Sequence, residues 1–211
     1  MSFFISIEGF DGTGKSTQSK LLKDGLEKAN INSIIVREPG STNFSEKIRN
    51  IIKENTEIEI MTELLLFQTS RSELVSKVIK PNLEKGKVVI TDRYTDSSIA
   101  YQGYGGGIDI NLIEELNKIS TSDLTPNLTF LLDMDVKDSI ERTLKRNNEE
   151  NEQIDKFENK DFDFHEKVKN GFNEIMKKNK NRVIKIDASK EIEVISKKIL
   201  NITLEKINET I

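Results

Sequence analysis

The chain has no cysteine and no tryptophan, and only one histidine and three prolines among its 211 residues. Without thiols there are no disulfides and no thiolate metal sites, which is compatible with a reducing compartment. No apolar run approaches the ~20 residues that a membrane-spanning helix needs. The N-terminus lacks a basic segment, and Glu8 interrupts its apolar start, so it does not read as a secretory signal. Positive charge is not in excess either. A net charge of −4 argues against nucleic-acid binding, which favours a basic face. These absences predict a cytoplasmic protein that binds neither nucleic acid nor membrane. Phe, Ile and Leu nevertheless recur in periodic runs at 35% hydrophobic content, so the chain is globular. Its length suits one domain spanning residues 1–211.

The most informative stretch is Gly9-Phe10-Asp11-Gly12-Thr13-Gly14-Lys15-Ser16-Thr17, directly after the apolar run Phe3-Phe4-Ile5-Ser6-Ile7. It matches G-x-x-x-x-G-K-[ST] between a strand pattern and a helix pattern. Glycines allow the backbone to curl so that N–H groups converge where a helix N-terminus also favours negative charge. Lys15 can reach the outer phosphates and the Ser16 hydroxyl can ligate Mg2+, so the loop is a candidate ATP cradle. An ordinary Gly-rich turn is the plain alternative.

Short apolar runs alternate with longer amphipathic ones, which predicts an α/β fold with a parallel sheet flanked by helices. Strands are expected at about 3–7, 33–36, 87–91, 127–132 and 182–186. Helices are expected at about 15–29, 44–54, 58–80, 110–120, 136–147, 160–179 and 190–208. Ligands bind at the C-terminal edge of such a sheet. The loop after strand one, Arg37-Glu38-Pro39-Gly40 after strand two and Asp92-Arg93-Tyr94 after strand three all fall there. Residues 147–161 are polar, with few apolar positions, and read as a solvated loop serving as a lid or a linker.

A phosphate loop alone does not name a reaction. A guanine-reading switch needs Asn-Lys-x-Asp, and none is present. A small kinase needs a second, arginine-lined anion site, and Arg37, Arg49, Arg71 and Arg93 lie on segments leading to the active edge. Arg93 follows Val88-Val89-Ile90-Thr91-Asp92, whose aspartate suits a place near Mg2+. A deoxynucleoside kinase would need a strong base instead of a second arginine clamp. A nucleotide-driven motor would hydrolyse ATP with no nucleotide acceptor.

With Glu46-Lys47-Ile48-Arg49, Phe67 with Arg71, Ala100-Tyr101-Gln102-Gly103 and Ile186-Asp187-Ala188 added in order, the chain resembles the thymidylate kinase family over essentially its whole length. The resemblance implies a P-loop nucleoside monophosphate kinase fold with a five-stranded parallel sheet and a lid at about 147–160. It also implies transfer of phosphate from Mg-ATP to dTMP in dTTP biosynthesis, by a homodimer. Gly9, Phe10, Asp11, Gly12, Thr13, Gly14, Lys15, Ser16, Thr17 and Arg142 would bind ATP, and Ser16 and Asp92 would hold Mg2+. The acceptor would be held by Asp11, Glu38, Arg49, Phe67, Arg71, Arg93, Ser97, Ser98, Tyr101 and Gln102. In that set Phe67 stacks on thymine and Arg71 donates to a base carbonyl. Arg49 and Arg93 hold the phosphate, and Tyr101 crowds the 2′ carbon. Asp11, Lys15, Arg93 and Arg146 are the implied catalytic group. A nucleoside monophosphate is already largely dianionic, its second pKa being about 6, so alignment and charge neutralisation suffice.

The pattern departs from the family in two places. Where some members carry an arginine after the loop aspartate, this chain has Gly12, which shifts the transition-state cation to the lid. That lid is acidic (Glu149, Glu150, Glu152, Asp155), and Asp155-Lys156-Phe157-Glu158 stands where the family has arginine at the second position. Lysine lacks the two-pronged grip of a guanidinium. Arg146 is therefore expected at the transferring phosphoryl group and Arg142 against adenine. His165 is expected to be a packed or surface residue.

Overall fold

The computed structural model describes residues 2–54, 57–150, 157 and 160–209. Five strands form one parallel sheet in the order β2-β3-β1-β4-β5: β1 Phe3–Gly9, β2 Ser33–Arg37, β3 Val88–Asp92, β4 Leu128–Asp133 and β5 Val183–Asp187. The inner strands β1, β3 and β4 are buried almost throughout, whereas the edge strands β2 and β5 mix buried, half-buried and exposed positions. That contrast is the one expected of a parallel sheet covered on both faces.

The period of two along β1 sorts its side chains. Phe3, Ile5 and Ile7 join Leu22 and Leu26 of α1 (Lys15–Lys28) and Ile195 and Ile199 of the last helix, Ile192–Glu209, in the main core. Phe4, Ser6 and Glu8 point the other way. There Phe4 packs edge-on to Tyr94, and Glu8 accepts hydrogen bonds from the Tyr94 N–H, Ser97 Oγ and Ser6 Oγ. A carboxyl group near the end of a buried strand is tolerated because three donors satisfy it.

The remaining helices are α2 Asn43–Glu54, α3 Ile60–Leu74, α4 Lys80–Glu84, α5 Thr95–Ser98, α6 Ile110–Thr121, α7 Val136–Glu150 and α8 Phe162–Lys178, with Ile192–Glu209 as α9. All five expected strands are present. Three helical expectations need correction. The single helix expected over 58–80 is α3 followed by a π-helical turn, Val75–Ile79, and then α4. An amphipathic period cannot register an inserted π turn, because the apolar face continues through it. A second helical stretch, α5 with the π-helical segment Ile99–Gly105, lies where no helix was expected. Its Gly-rich sequence carries no clear period, and packing against α8 holds it. The expected loop from 147 begins later, since α7 runs to Glu150 and Asn147 is buried. The rest of the expected lid, apart from Phe157 and Lys160, lies outside the described residues, including Glu152, Asp155 and Lys156. Among the described residues no helix is long and apolar enough to cross a membrane.

Candidate active site

β1 ends at Gly9, whose φ of +139° excludes other residues, and a Cβ there would also run into Leu132 O of β4. The chain then curls into α1 at Lys15. Thr13 Oγ1 and Lys15 Nζ both donate to Phe10 O, at 2.7 and 2.6 Å, closing the loop on itself. Gly12 has φ +78°, and a Cβ there would lie 2.6 Å from Thr143 Oγ1 of α7. Ser139 on the same helix donates to Asp11 O at 2.5 Å. α7 is thus seated on the loop, and the Gly12 position has no room for a side chain.

The register that pairs Ile7 of β1 with Asp92 of β3 brings the second motif to the first. Ser16 Oγ donates to Asp92 Oδ2 at 2.6 Å, and Thr17 beside it is exposed. Arg93, in the left-handed region at φ +71°, turns its guanidinium under the loop. Its Nη1 donates to Gly9 O (2.9 Å) and Ser97 Oγ (3.2 Å), and its Nη2 to Asp11 Oδ1 (2.8 Å) and Tyr101 Oη (3.3 Å). Burial acts to raise the Asp11 pKa, but Arg93 and Lys15, with Arg146, outweigh it and hold the carboxyl well below its usual range. Burial and Arg93 together lower the Lys15 pKa.

One cleft opens beside the loop, and all ten residues expected at the acceptor site line it. α2 supplies Arg49, whose Nη1 donates to Pro39 O at 3.2 Å. α3 supplies Phe67 and Arg71, four apart and so on one face. α5 and the π-helical segment supply Ser97, Ser98, Tyr101 and Gln102. Arg37 is elsewhere, paired with Glu46 at the surface. Arg71 is held more tightly than the sequence suggests. Its five N–H groups donate to Glu38 Oε2, Gln68 Oε1, Asn117 Oδ1, Tyr94 O and Ser98 Oγ. A base carbonyl approaching Arg71 would share a proton that is already engaged.

The expected acceptor set leaves out Pro39, Ile52, Lys53, Tyr94 and Phe157, which also line the cleft, although Pro39 and Tyr94 belong to the two segments expected at this edge. Ile52 and Lys53 lie one turn beyond Arg49 on α2, a spacing that signals them. Phe157 has no such signal. It arrives from the far side of the chain, its ring 6.1 Å from that of Phe67 and 5.9 Å from that of Tyr101.

Two buried acids, Glu38 in the cleft lining and Glu8 of β1, have raised pKa values. Burial, with Asp96 nearby, pushes Glu8 up to about 7. Burial likewise pushes Glu38 up to about 7, against the pull of Arg71. Between the usual value of 4.5 and about 7, the folded protein holds protons that the unfolded chain has released. Stability therefore falls as pH rises through that window. Urea denaturation at pH 5 and pH 8 should show the loss, on the order of a few kcal/mol, and Glu8→Gln should flatten it. An equal slope in both proteins would show that Glu8 does not titrate there.

Arg142, expected against adenine, and Arg146, expected at the transferring phosphoryl group, both stand on α7, the helix seated on the loop. Arg142 Nη1 donates to Ala188 O at 3.0 Å, tying α7 to the turn after β5. Arg146, one turn on, donates to Asn147 Oδ1 at 3.0 Å through Nη2. His165 is packed, with its ring edge-on to Phe10 and Phe164, and burial lowers its pKa.

A family model described as thymidylate kinase matches residues 7–199. Thymidylate kinase of Dehalococcoides mccartyi is 48% identical over 144 residues, 67% of this chain and 69% of that one. The enzyme of that name from Ehrlichia ruminantium is 49% identical over 148 residues, 69% of this chain and 73% of that one. The crystal structure of thymidylate kinase from Ehrlichia chaffeensis superposes with a TM-score of 0.78 at 36% identity, covering 96% of this chain and 98% of that one. The sheet flanked by helices is accordingly the P-loop kinase fold of those proteins, and this chain belongs to the thymidylate kinase family.

Proposed function

We propose that this protein transfers the γ-phosphoryl group of ATP to dTMP in line, giving dTDP and ADP, as a step in dTTP biosynthesis. The observation that carries this reading is the continuity of the phosphate loop with the arginine-lined cleft. Asp11 lies in the loop and lines the cleft, and Arg93 binds the loop while facing the same cleft. A γ-phosphate on the loop and an acceptor phosphate at Arg49 and Arg93 would meet beside Asp11. Loop N–H groups and Lys15 bind the donor, which requires Lys15 to swing from Phe10 O to the phosphates. Arg93 and Arg49 hold the acceptor oxyanion, Phe67 offers its face to the base, and Tyr101 closes the sugar side.

Ser16 Oγ and the Asp92 carboxylate are hard oxygen donors 2.6 Å apart, a set that suits Mg2+ completed by phosphates and water. Bound there, Mg2+ supplies charge neutralisation at the outer phosphates. Ser16 and Asp92 orient it.

The closed position at Gly12 supports a lid cation, with Arg146 at the transferring phosphoryl group and Arg142 toward adenine. Arg146→Ala is expected to lower kcat about 10²- to 10³-fold and Lys156→Ala much less. Steady-state kinetics that show the reverse order would move the role to Lys156. Exposed Phe44 of α2, Met61 and Leu65 of α3, and Leu112 and Ile119 of α6 lie on adjoining helices and suit a second copy of the chain, so we assign a homodimer. The site of action is the cytoplasm, where ATP is supplied.

The deciding experiment is a coupled ADP assay with ATP and Mg2+ and dTMP, dUMP, CMP, GMP or thymidine in turn. Turnover is expected with dTMP. Turnover on thymidine without dTMP, or ADP release without any acceptor, would overturn the reading.

A further inference from the structure

Beside the cleft, α3 and the π-helical segment are joined by a hydrogen bond in which Gln102 Nε2 donates to Glu63 Oε1 at 2.8 Å. Both side chains are buried, Gln102 at 2% exposure and Glu63 at 3%. Gln102 also lines the cleft, and its Oε1 accepts no hydrogen bond from any described residue. That oxygen is also not among the described side-chain atoms sealed away without a partner.

A carboxylate has acceptors only. Glu63 therefore takes the amide NH2 of Gln102, and the carbonyl is left to face the cleft. The opposite rotamer would set two acceptors against each other in a buried place. Arg71, which also lines the cleft, has all five N–H groups engaged. The polarity that Gln102 offers the cleft is thus decided by a residue behind it. Glu63, Phe67 and Arg71 stand four apart, so one face of α3 carries the orienting carboxylate, the ring and the guanidinium.

We propose that Glu63 is a positioning residue that fixes the Gln102 amide carbonyl-inward. The acceptor site then takes a pyrimidine that carries N3–H, such as thymine or uracil. It rejects cytosine, whose N3 is a bare acceptor and would face the carbonyl lone pairs. This rests on the reading of the cleft as a nucleotide-acceptor site.

The test uses the full chain as wild type, Glu63→Gln and Glu63→Asp, with dTMP and 5-methyl-dCMP, which differ only at the N3–C4 edge of the ring. Both kcat/KM and equilibrium binding by calorimetry are measured. Glutamine at 63 offers NH2 as well as C=O, so the Gln102 amide is free to turn. The preference for dTMP over 5-methyl-dCMP is expected to fall about tenfold or more in Glu63→Gln. Glu63→Asp keeps a carboxylate and should retain the preference even where its rate falls. A merely structural role would weaken both ligands alike and leave the ratio unmoved. An unchanged ratio in Glu63→Gln, in kinetics or in binding, overturns the proposal. Wild-type protein that binds dTMP selectively but turns over neither nucleotide would overturn the kinase reading, while the binding ratio still decides the role of Glu63.

Discussion

Arg93→Ala should lower kcat/KM for dTMP about 10³-fold, the upper end of what removing one preorganised donor from a reacting oxyanion costs. The guanidinium joins four acceptors from three places: the end of β1, the loop aspartate, and the Ser97 and Tyr101 hydroxyls at the cleft. In the proposed reaction, alanine removes a cation from between two phosphates that repel each other. It also leaves the Asp11 carboxylate facing them with Lys15 as its remaining close counter-ion. Arg93→Lys restores charge without the fork, so it should recover only part of the loss. Stability is expected to change far less than activity, because Arg93 and Asp11 both keep some contact with solvent. A folded Arg93→Ala protein within tenfold of wild type would refute the assignment of Arg93 to the acceptor phosphate.

The largest effect on stability is expected at Arg71. This side chain is 1% exposed, and its Nε stands 2.7 Å from Glu38 Oε2 in a pair sealed from water. Arg71→Ala strands the Glu38 carboxyl and opens the amide network of Gln68 and Asn117. Removing one partner of a buried pair costs about 3–5 kcal/mol. Glu38 already lies near 7 with arginine beside it, so without that cation it rises further. Protonation then limits the damage, and the penalty should be larger at pH 8 than at pH 6. Glu38→Leu with Arg71→Met should cost less than Arg71→Ala alone, because it leaves no unpaired charge. Denaturant midpoints at the two pH values check both statements. Equal penalties at pH 6 and pH 8 would mean that Glu38 does not titrate in the variant.

The elements legible in the sequence are those whose signal is local. The phosphate loop declares itself through glycines at fixed spacing beside a lysine and a hydroxyl. The parallel strands show as short apolar runs, because burial on both faces removes the polar alternation. Asp92-Arg93 could be placed near the loop because the ends of parallel strands share one edge. Less legible was the helical reach of 95–105, where π turns and glycines blur the period. The polar segment begins later than its composition predicts, because composition implies solvent at Asn147 whereas α7 carries it inward.

By itself, the sequence determined the α/β class, the strand sites and the phosphate-loop motif, and its family resemblance picked out ten of the residues that line the cleft. The three-dimensional arrangement alone decided how those residues are committed. Glu8 looked like a break in an apolar run, and the fold makes it a buried acid satisfied by Tyr94 and Ser97, some ninety positions on. Arg71 looked like a free donor to a base, and the fold spends its donors on Glu38, Gln68, Asn117, Tyr94 and Ser98. Glu63 carried no signal until Gln102, 39 residues away, was found against it. The reason is physical. Burial periodicity is written between neighbours along the chain. The donor or acceptor that a polar side chain has left for a ligand depends on partners that only packing brings together.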